Sequence, residues 1–416
     1  MTAHPSPAPQ PRLVHAVILL VTSGLTVLVT AILGPSLPQM QAHFADVPGA
    51  AMLVPLTMTV PMLMMAGLSL FVGLLADRIG RKRLLVAATA LYGLFGTAPL
   101  YLDSLATIVA SRVALGVMEA VLMVISTTMI GDYWSGAKRQ RLMSLQVTVS
   151  ATSAFLLNNL GGLIAEHGWR APYAVYAVSL VLAPLMAIFL WEPTARAASG
   201  EVLAQHDDTP FRPGLLAGIC AIGVLVGIVF LIVPVHFGYL FGALGVQSPA
   251  QIGMAYGLNS LGVIAGTLLF GWVFAQRLTV PFQLGVSAAI AATGFLMMKS
   301  AHGYGALAAA GVVNGVGCGI LLPTMVTWTM RSLPFSRRGM GTGAYQSALF
   351  FGMFVNPLLV VGLEPLMQGS RAAAVAAVGS VVLALAVVAL LTGVLGRGRP
   401  GALPTGRPAA KAITGP

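Results

Sequence analysis

The sequence predicts an all-α integral membrane protein of twelve transmembrane helices, arranged as two pseudo-symmetric six-helix halves. Three observations predict it. Of 416 residues, 57% are hydrophobic and 8% charged, with a mean hydropathy of +0.90; an ordinary soluble domain carries about a quarter charged residues. Apolar runs recur at the roughly 20-residue length that crosses the hydrocarbon core. One polar stretch divides those runs into six and six. This composition excludes a soluble enzyme, a disordered chain and a nucleic-acid-binding module. Glycine (48) and proline (26) are abundant, as they are in membrane helices, where small residues permit close packing.

The runs lie near 13–34, 51–75, 84–102, 105–131, 142–165 and 172–191, then near 214–240, 251–274, 279–298, 304–330, 341–363 and 372–396. The first is too long for a cleaved signal peptide, and Gly34-Pro35-Ser36-Leu37-Pro38 follows it in place of a small-residue cleavage site. The domain reading is therefore a head (1–12), an N-terminal half (13–191), a linker (192–213), a C-terminal half (214–396) and a tail (397–416). Head and tail are rich in Pro, Ala and Gly and read as disordered. The linker, EPTARAASGEVLAQHDDTPFRP, holds four of the eleven acidic residues.

Basic residues are retained on the cytoplasmic side of a membrane. With the N-terminus inside, eighteen of the 22 Lys and Arg residues fall on that side, while Arg170, Lys299 and Arg371 fall outside and Arg112 lies within a span. Both termini are expected in the cytoplasm, in an inner (cytoplasmic) membrane. The net charge of +11 thus reports orientation and contact with anionic membrane lipid, not nucleic acid. Cys220 and Cys318 both sit in apolar runs, so neither a disulfide framework nor a metal site is expected. Two echoes point to duplication. Arg141-Leu142-Met143 opens the fifth span and Arg338-Gly339-Met340 the eleventh, and Asn158-Asn159 and Asn356-Pro357 follow at similar distances. Repeated halves with a solute site between them are a transporter design.

Between the second and third spans runs Gly73-Leu74-Leu75-Ala76-Asp77-Arg78-Ile79-Gly80-Arg81-Lys82-Arg83-Leu84-Leu85. A basic loop alone does not account for Asp77 at the helix end or for the two glycines. An acid at a membrane boundary can bind the amide end of a neighbouring helix, and an arginine can bridge to a second acid. This stretch resembles the loop signature G-x-L-a-D-r-x-G-r-k-x-x-l of the major facilitator superfamily. In that family the aspartate contacts the start of the eleventh helix and an arginine reaches an acid ending the fourth. The resemblance makes Gly73, Asp77, Arg78, Gly80, Arg81 and Asp132 a conformational latch. The matching loop in the second half, Gly271–Leu278, has Ala275 in the acid's place. Ile108-x-x-x-Arg112-x-x-Leu115-Gly116 resembles the fourth-span signature. The fifth span keeps Gly161-Gly162 of the drug:proton antiporter pattern but has Leu157-Asn158 where Gly-Pro stands. Gly168-Trp169-Arg170 and Gly352-x-x-x-Asn356-Pro357 are similar to bacterial exporters of the arabinose-efflux and multidrug type.

Two charged residues lie well inside spans, where each costs about 2.5–3.5 kcal/mol on insertion scales. Arg112 and Glu119 are seven residues apart, so they share a face of the fourth helix about 10 Å apart along its axis without pairing directly. Glu119 is the candidate proton carrier. Asn158, His236, Asn259, Asn314 and Asn356 form a polar belt in the outer half, and Asn158 and Asn259, at similar depth, are expected to bond to each other. His236 reads equally as a proton relay or as a residue facing the outer water. Met118, Met123, Tyr173, Tyr239 and Trp328 are candidates to line an adaptable apolar cavity, with core packing the simpler expectation for each.

The functional expectation is a secondary active transporter working by alternating access, not an enzyme. Proton-coupled efflux of small amphipathic or drug-like compounds is the first reading. Uptake of a small organic acid held by Arg112 is the alternative, ahead of a membrane-embedded enzyme or a channel. The chain has no phosphate-binding G-x-x-x-x-G-K-[ST] loop, so the expected energy source is the proton gradient, with no cofactor, in a monomer.

Overall fold

The computed structural model describes residues 10–193, 211–334 and 337–395. Most of the expected head, the central part of the linker and the tail lie outside these residues. Among the described residues the regular structure is helical. We number the spans α1 (Leu13–Leu25 continued by Leu28–His43), α2 (Ala50–Ile79), α3 (Arg81–Thr97), α4 (Leu105–Tyr133), α5 (Gly136–Ala165) and α6 (Ala171–Phe189). The second set is α7 (Pro213–Ala243), α8 (Pro249–Arg277), α9 (Val280–Lys299), α10 (Tyr304–Ser332), α11 (Arg338–Leu363) and α12 (Arg371–Leu395).

Eleven of these are long and apolar enough to cross a bilayer, and α1 makes twelve if its two arms count as one span. The apolar run near 13–34 predicts an end at Gly34, but the helix continues to His43 after a 48° bend. The bend has a local cause. Thr22, Ser23 and Thr26 each turn a hydroxyl back onto the helix, donating to the carbonyls of Ile18 (2.8 Å), Leu19 (3.1 Å) and Ser23 (2.9 Å), a pattern that bends helices. The carbonyl of Leu25, at the break, accepts instead from Tyr92 Oη on α3 at 2.8 Å. In hydrocarbon such a freed carbonyl needs a protein partner.

Packing repeats between the halves with an offset of six helices. The pairs α1/α5, α2/α4, α3/α4 and α3/α6 of the first half recur as α7/α11, α8/α10, α9/α10 and α9/α12 in the second. The two main contacts between halves, α5/α8 and α2/α11, are related by the same operation. Duplication is thus visible in the packing itself. Large apolar side chains such as Phe71, Val181, Trp272 and Leu391 stand on the outer surface, which in a membrane is where lipid solvates them.

The α5/α8 contact is close enough to exclude side chains. A Cβ on Gly162 would stand 2.5 Å from Pro249 O and 2.8 Å from Gly253 Cα; one on Gly253 would meet Gly162 Cα at 2.7 Å. All three obstacles are backbone, which cannot rotate away. Gly161, beside it, faces the backbone of Ile32 on α1. The retained glycine pair therefore joins α5 to α1 on one side and to α8 on the other. Gly162→Val is expected to cost about 1–3 kcal/mol through overpacking, seen as a lower melting temperature of the purified protein. Gly218→Val on α7, where a Cβ meets nothing within 4 Å, should leave that temperature unchanged.

Candidate functional site

A cavity of about 120 Å³ lies between the halves, enclosed by α1, α5, α7, α8 and α10. Its polar lining comprises Thr30, Asn158, Tyr256, Asn259, Ser260 and Asn314, with Cys318 beside them, and none of its lining residues is charged. The bend of α1 brings Val27 and Thr30 to its wall. Three members of the predicted polar belt therefore converge here. The expected Asn158–Asn259 bond is not made. Asn158 Nδ2 donates to Ser260 Oγ at 3.1 Å, one residue further along α8, and Asn259 Nδ2 donates to Gly311 O on α10 at 2.7 Å. The glycine crossing sets the register of α5 on α8 and so selects Ser260.

The other two belt residues form a separate pair. His236 Nε2 and Asn356 Oδ1 are 3.0 Å apart, and Asn356 Nδ2 donates to Ile228 O at 2.8 Å. Both side chains are fully buried, so His236 does not face water. This pair ties α7 to α11 away from the cavity. Arg371, expected in an outer loop, heads α12 and is largely buried, paired with Glu364 and stacked 4.0 Å over the Tyr239 ring.

Arg112 and Glu119 are fully buried within the first half, and among the described residues no ion pair joins them. Arg112 Nη2 donates to the carbonyls of Phe95 and Gly96, the latter at 3.1 Å, and its guanidinium lies 5.2 and 5.6 Å from the rings of Tyr173 and Tyr176. Those carbonyls end α3, where the helix dipole favours a cation. Arg112 thus closes the end of α3 rather than lining the cavity. Glu119 differs: both of its carboxyl oxygens are buried with no hydrogen-bond partner. It faces Arg112, Tyr92 and Tyr176 across the core of the first half. Buried polar groups without partners are rare enough to need an explanation.

At the end of the bundle carrying the loop motif, Arg81 pairs with Asp132 at the end of α4. Asp77 lies 3.7 Å from Arg81 and is 69% exposed, and among the described residues Arg81 is its ion-pair partner. The arm reaching from Asp77 to the start of α11 is not made in this conformation. Gly73 and Arg78 are exposed, Arg78 at the rim of a surface groove between α2 and α4. Gly80 adopts φ +98°, a backbone region that favours glycine, and so lets α3 start directly after α2. A residue outside the motif completes this end. Glu192, just past α6, accepts the backbone N–H of Arg81 at 2.6 Å and of Lys82 at 3.0 Å. An acid at a helix N-terminus is stabilising, but its partner is 111 residues away, beyond the reach of local pattern reading.

A family profile described as Major Facilitator Superfamily matches residues 19–357. The chain belongs to the major facilitator superfamily. It is 27% identical to the 3-(3-hydroxy-phenyl)propionate transporter of Escherichia coli over 77% of this chain and 80% of that one. It is also 27% identical to the cephamycin export protein CmcT of Amycolatopsis lactamdurans, covering 65% and 60% of the two chains. Among solved structures it resembles a bacterial homolog of the human lysosomal transporter Spinster, with a TM-score of 0.70 and 13% identity over 92% of this chain and 96% of that one. The protein is accordingly a multi-pass membrane transporter, not an enzyme.

The family's loop motif closes one end of a transporter; this chain holds a matching contact at the other. Glu166, which caps α5, accepts from Ser248 Oγ at 2.6 Å and from the backbone N–H of Ala250 at 3.0 Å. Its carboxylate thus caps the N-terminus of α8, in the opposite half. The Ser248 hydroxyl, then the Ala250 amide, hold its carboxyl below the usual carboxylate range, with His167 the other titratable group beside it. Because that pKa is depressed, the contact is at full strength at neutral pH and is lost as acid protonates Glu166. Glu166→Gln should open this end. Cysteine labelling of Gln247→Cys is expected to accelerate several-fold in the variant at neutral pH, and in the parent only on acidification. Equal labelling rates in both proteins at every pH would remove Glu166 from the gate.

Proposed function

We propose that the chain is a secondary active transporter that exports small, uncharged amphipathic compounds by alternating access, driven by the proton gradient. The observation that carries the reading is the cavity between the halves. Its wall is apolar with a few hydrogen-bonding groups and no charge, a lining suited to amphipathic ligands. Arg112, the cation an organic acid would need, is bonded to the end of α3 instead. The cephamycin exporter among the relatives agrees with this direction.

Orientation follows from the basic residues: the motif end is cytoplasmic, in a bacterial-type inner membrane. The Glu166 contact then closes the outer end, while the exposed Asp77 leaves the cytoplasmic latch unmade. Export requires the reverse state, in which Glu166 releases α8 and Asp77 reaches α11. Glu119 is the coupling group. Excluding water from a carboxylate favours its neutral form, and admitting water favours its charged form, so an acid with no fixed partner can take up and release a proton as the halves move. No cofactor takes part, and one chain encloses the whole cavity.

A second reading is uptake of a small organic acid, which the 3-(3-hydroxy-phenyl)propionate transporter among the relatives favours. Proteoliposomes separate the two. With a pH gradient imposed, the parent should move a neutral amphipathic dye against its concentration gradient and leave benzoate unmoved. Glu119→Gln, which keeps the shape and cannot ionise, should retain dye binding and fall to the rate seen without a gradient. Gradient-driven transport at the parental rate would make Glu119 a packing residue, and accumulation of benzoate would favour uptake.

A further inference from the structure

The polar groups of the cavity share a bias that follows from where their hydrogens go. Asn158 directs both amide hydrogens to protein acceptors, Ala154 O at 2.9 Å and Ser260 Oγ at 3.1 Å. Ser260 gives its hydroxyl hydrogen to Tyr256 O at 3.1 Å. Tyr256 gives its own to Pro234 O at 3.2 Å while accepting the Gly238 N–H at 3.0 Å. Thr30 donates to Val27 O at 3.2 Å, and Asn314 Nδ2 to Ala291 O at 3.2 Å. Asn259 Nδ2 is held by Gly311 O. The wall is therefore poor in free donors and keeps its lone pairs.

One of those lone pairs stands out. Asn158 is 7% exposed and lines the cavity, and its Oδ1 is buried with no hydrogen-bond partner. The amide cannot be turned to relieve this. Ala154 O only accepts, and the single hydroxyl hydrogen of Ser260 is already committed to Tyr256 O, so both neighbours require Nδ2 where it is. A buried carbonyl oxygen left without a donor is costly, and a ligand O–H or N–H removes that cost.

We propose that Asn158 Oδ1 is the specificity-determining acceptor of this cavity, selecting neutral amphipathic compounds that carry a hydrogen-bond donor, such as phenols and alcohols, over isosteric ethers and over carboxylates. The proposal rests on the reading of the cavity as the transport site for uncharged compounds. It also gives occupancy a route to the gate. Asn158 holds Ser260 of the opposite half with the same amide, one turn from the Gly162–Gly253 crossing and two turns from Glu166, so a bound donor polarises the group that joins α5 to α8.

The test uses the full chain in lipid nanodiscs, with 2-naphthol, its methyl ether 2-methoxynaphthalene, and 2-naphthoate as probes. Binding is read by naphthalene fluorescence, with protein-free nanodiscs subtracted. One net hydrogen bond corresponds to about fivefold to tenfold in affinity, so the parent should bind 2-naphthol tighter than the ether by about that factor. Asn158→Ala should bring the two within about twofold, and Asn158→Asp, which keeps an acceptor, should retain the preference. Equal binding of naphthol and ether by the parent overturns the donor assignment alone, and that comparison decides the matter even if the alanine variant does not fold. A preference that persists in Asn158→Ala also overturns it. Stronger binding of 2-naphthoate than of both neutral probes overturns the reading of the cavity as an uncharged site. Absence of saturable binding for all three overturns both.

Discussion

The two halves of this transporter meet most closely where α5 crosses α8, and much of the molecule's behaviour follows from that crossing. Gly162 and Gly253 bring the backbones together so tightly that the register of one helix on the other has no freedom. The register places Asn158 against Ser260 on the cavity side and Glu166 against the start of α8 on the other. A single contact between halves thus holds part of the binding site, a pivot and a gate within about three helical turns. The equivalent contact, α2 against α11, carries the loop motif at its far end, where Asp77 awaits a partner. The two contacts are alternatives in one cycle: the end capped by Glu166 is shut while the end served by Asp77 is not.

The second constraint is the lack of water in hydrocarbon, which forces each buried polar group to find a protein partner or to serve a ligand. Most find partners. Thr22, Ser23 and Thr26 bond along their own helix and bend it; Arg112 takes the carbonyls that end α3; His236 takes Asn356. The exceptions are informative. Glu119 has no partner for either carboxyl oxygen and Asn158 Oδ1 has none. One is an acid in the core of the first half and the other an acceptor on the cavity wall, which are the two groups a proton-coupled carrier of neutral solutes requires.

Much of this was legible in the sequence, for reasons of length and periodicity. Spans of about 20 apolar residues read directly from hydropathy, and the loop motif is compact enough to identify from consecutive residues. The polar belt was legible as depth, because 1.5 Å per residue places Asn158 and Asn259 at one level. Their partners were not. A change of one residue in register separates the expected Asn158–Asn259 bond from the Asn158–Ser260 bond that forms, and nothing local encodes it. Glu166 and Glu192 escaped for the same reason, since each is an ordinary loop acid until it meets a helix start 82 or 111 residues away. The direction of Arg112 was likewise hidden: α4 is apolar all round, so its sequence does not say which face meets α3 and which the cavity.

The central claim is that the ends of the α5/α8 contact open and close in opposition about the glycine crossing. Electron–electron distance measurements test it on a chain whose two native cysteines, Cys220 and Cys318, are replaced by alanine. One spin-label pair, His167→Cys with Gln247→Cys, spans the Glu166 end; the other, Lys138→Cys with Arg277→Cys, spans the motif end. On acidification the first distance should lengthen as the second shortens, in matching populations. Lengthening of both together, or movement of one with the other fixed, would contradict the account.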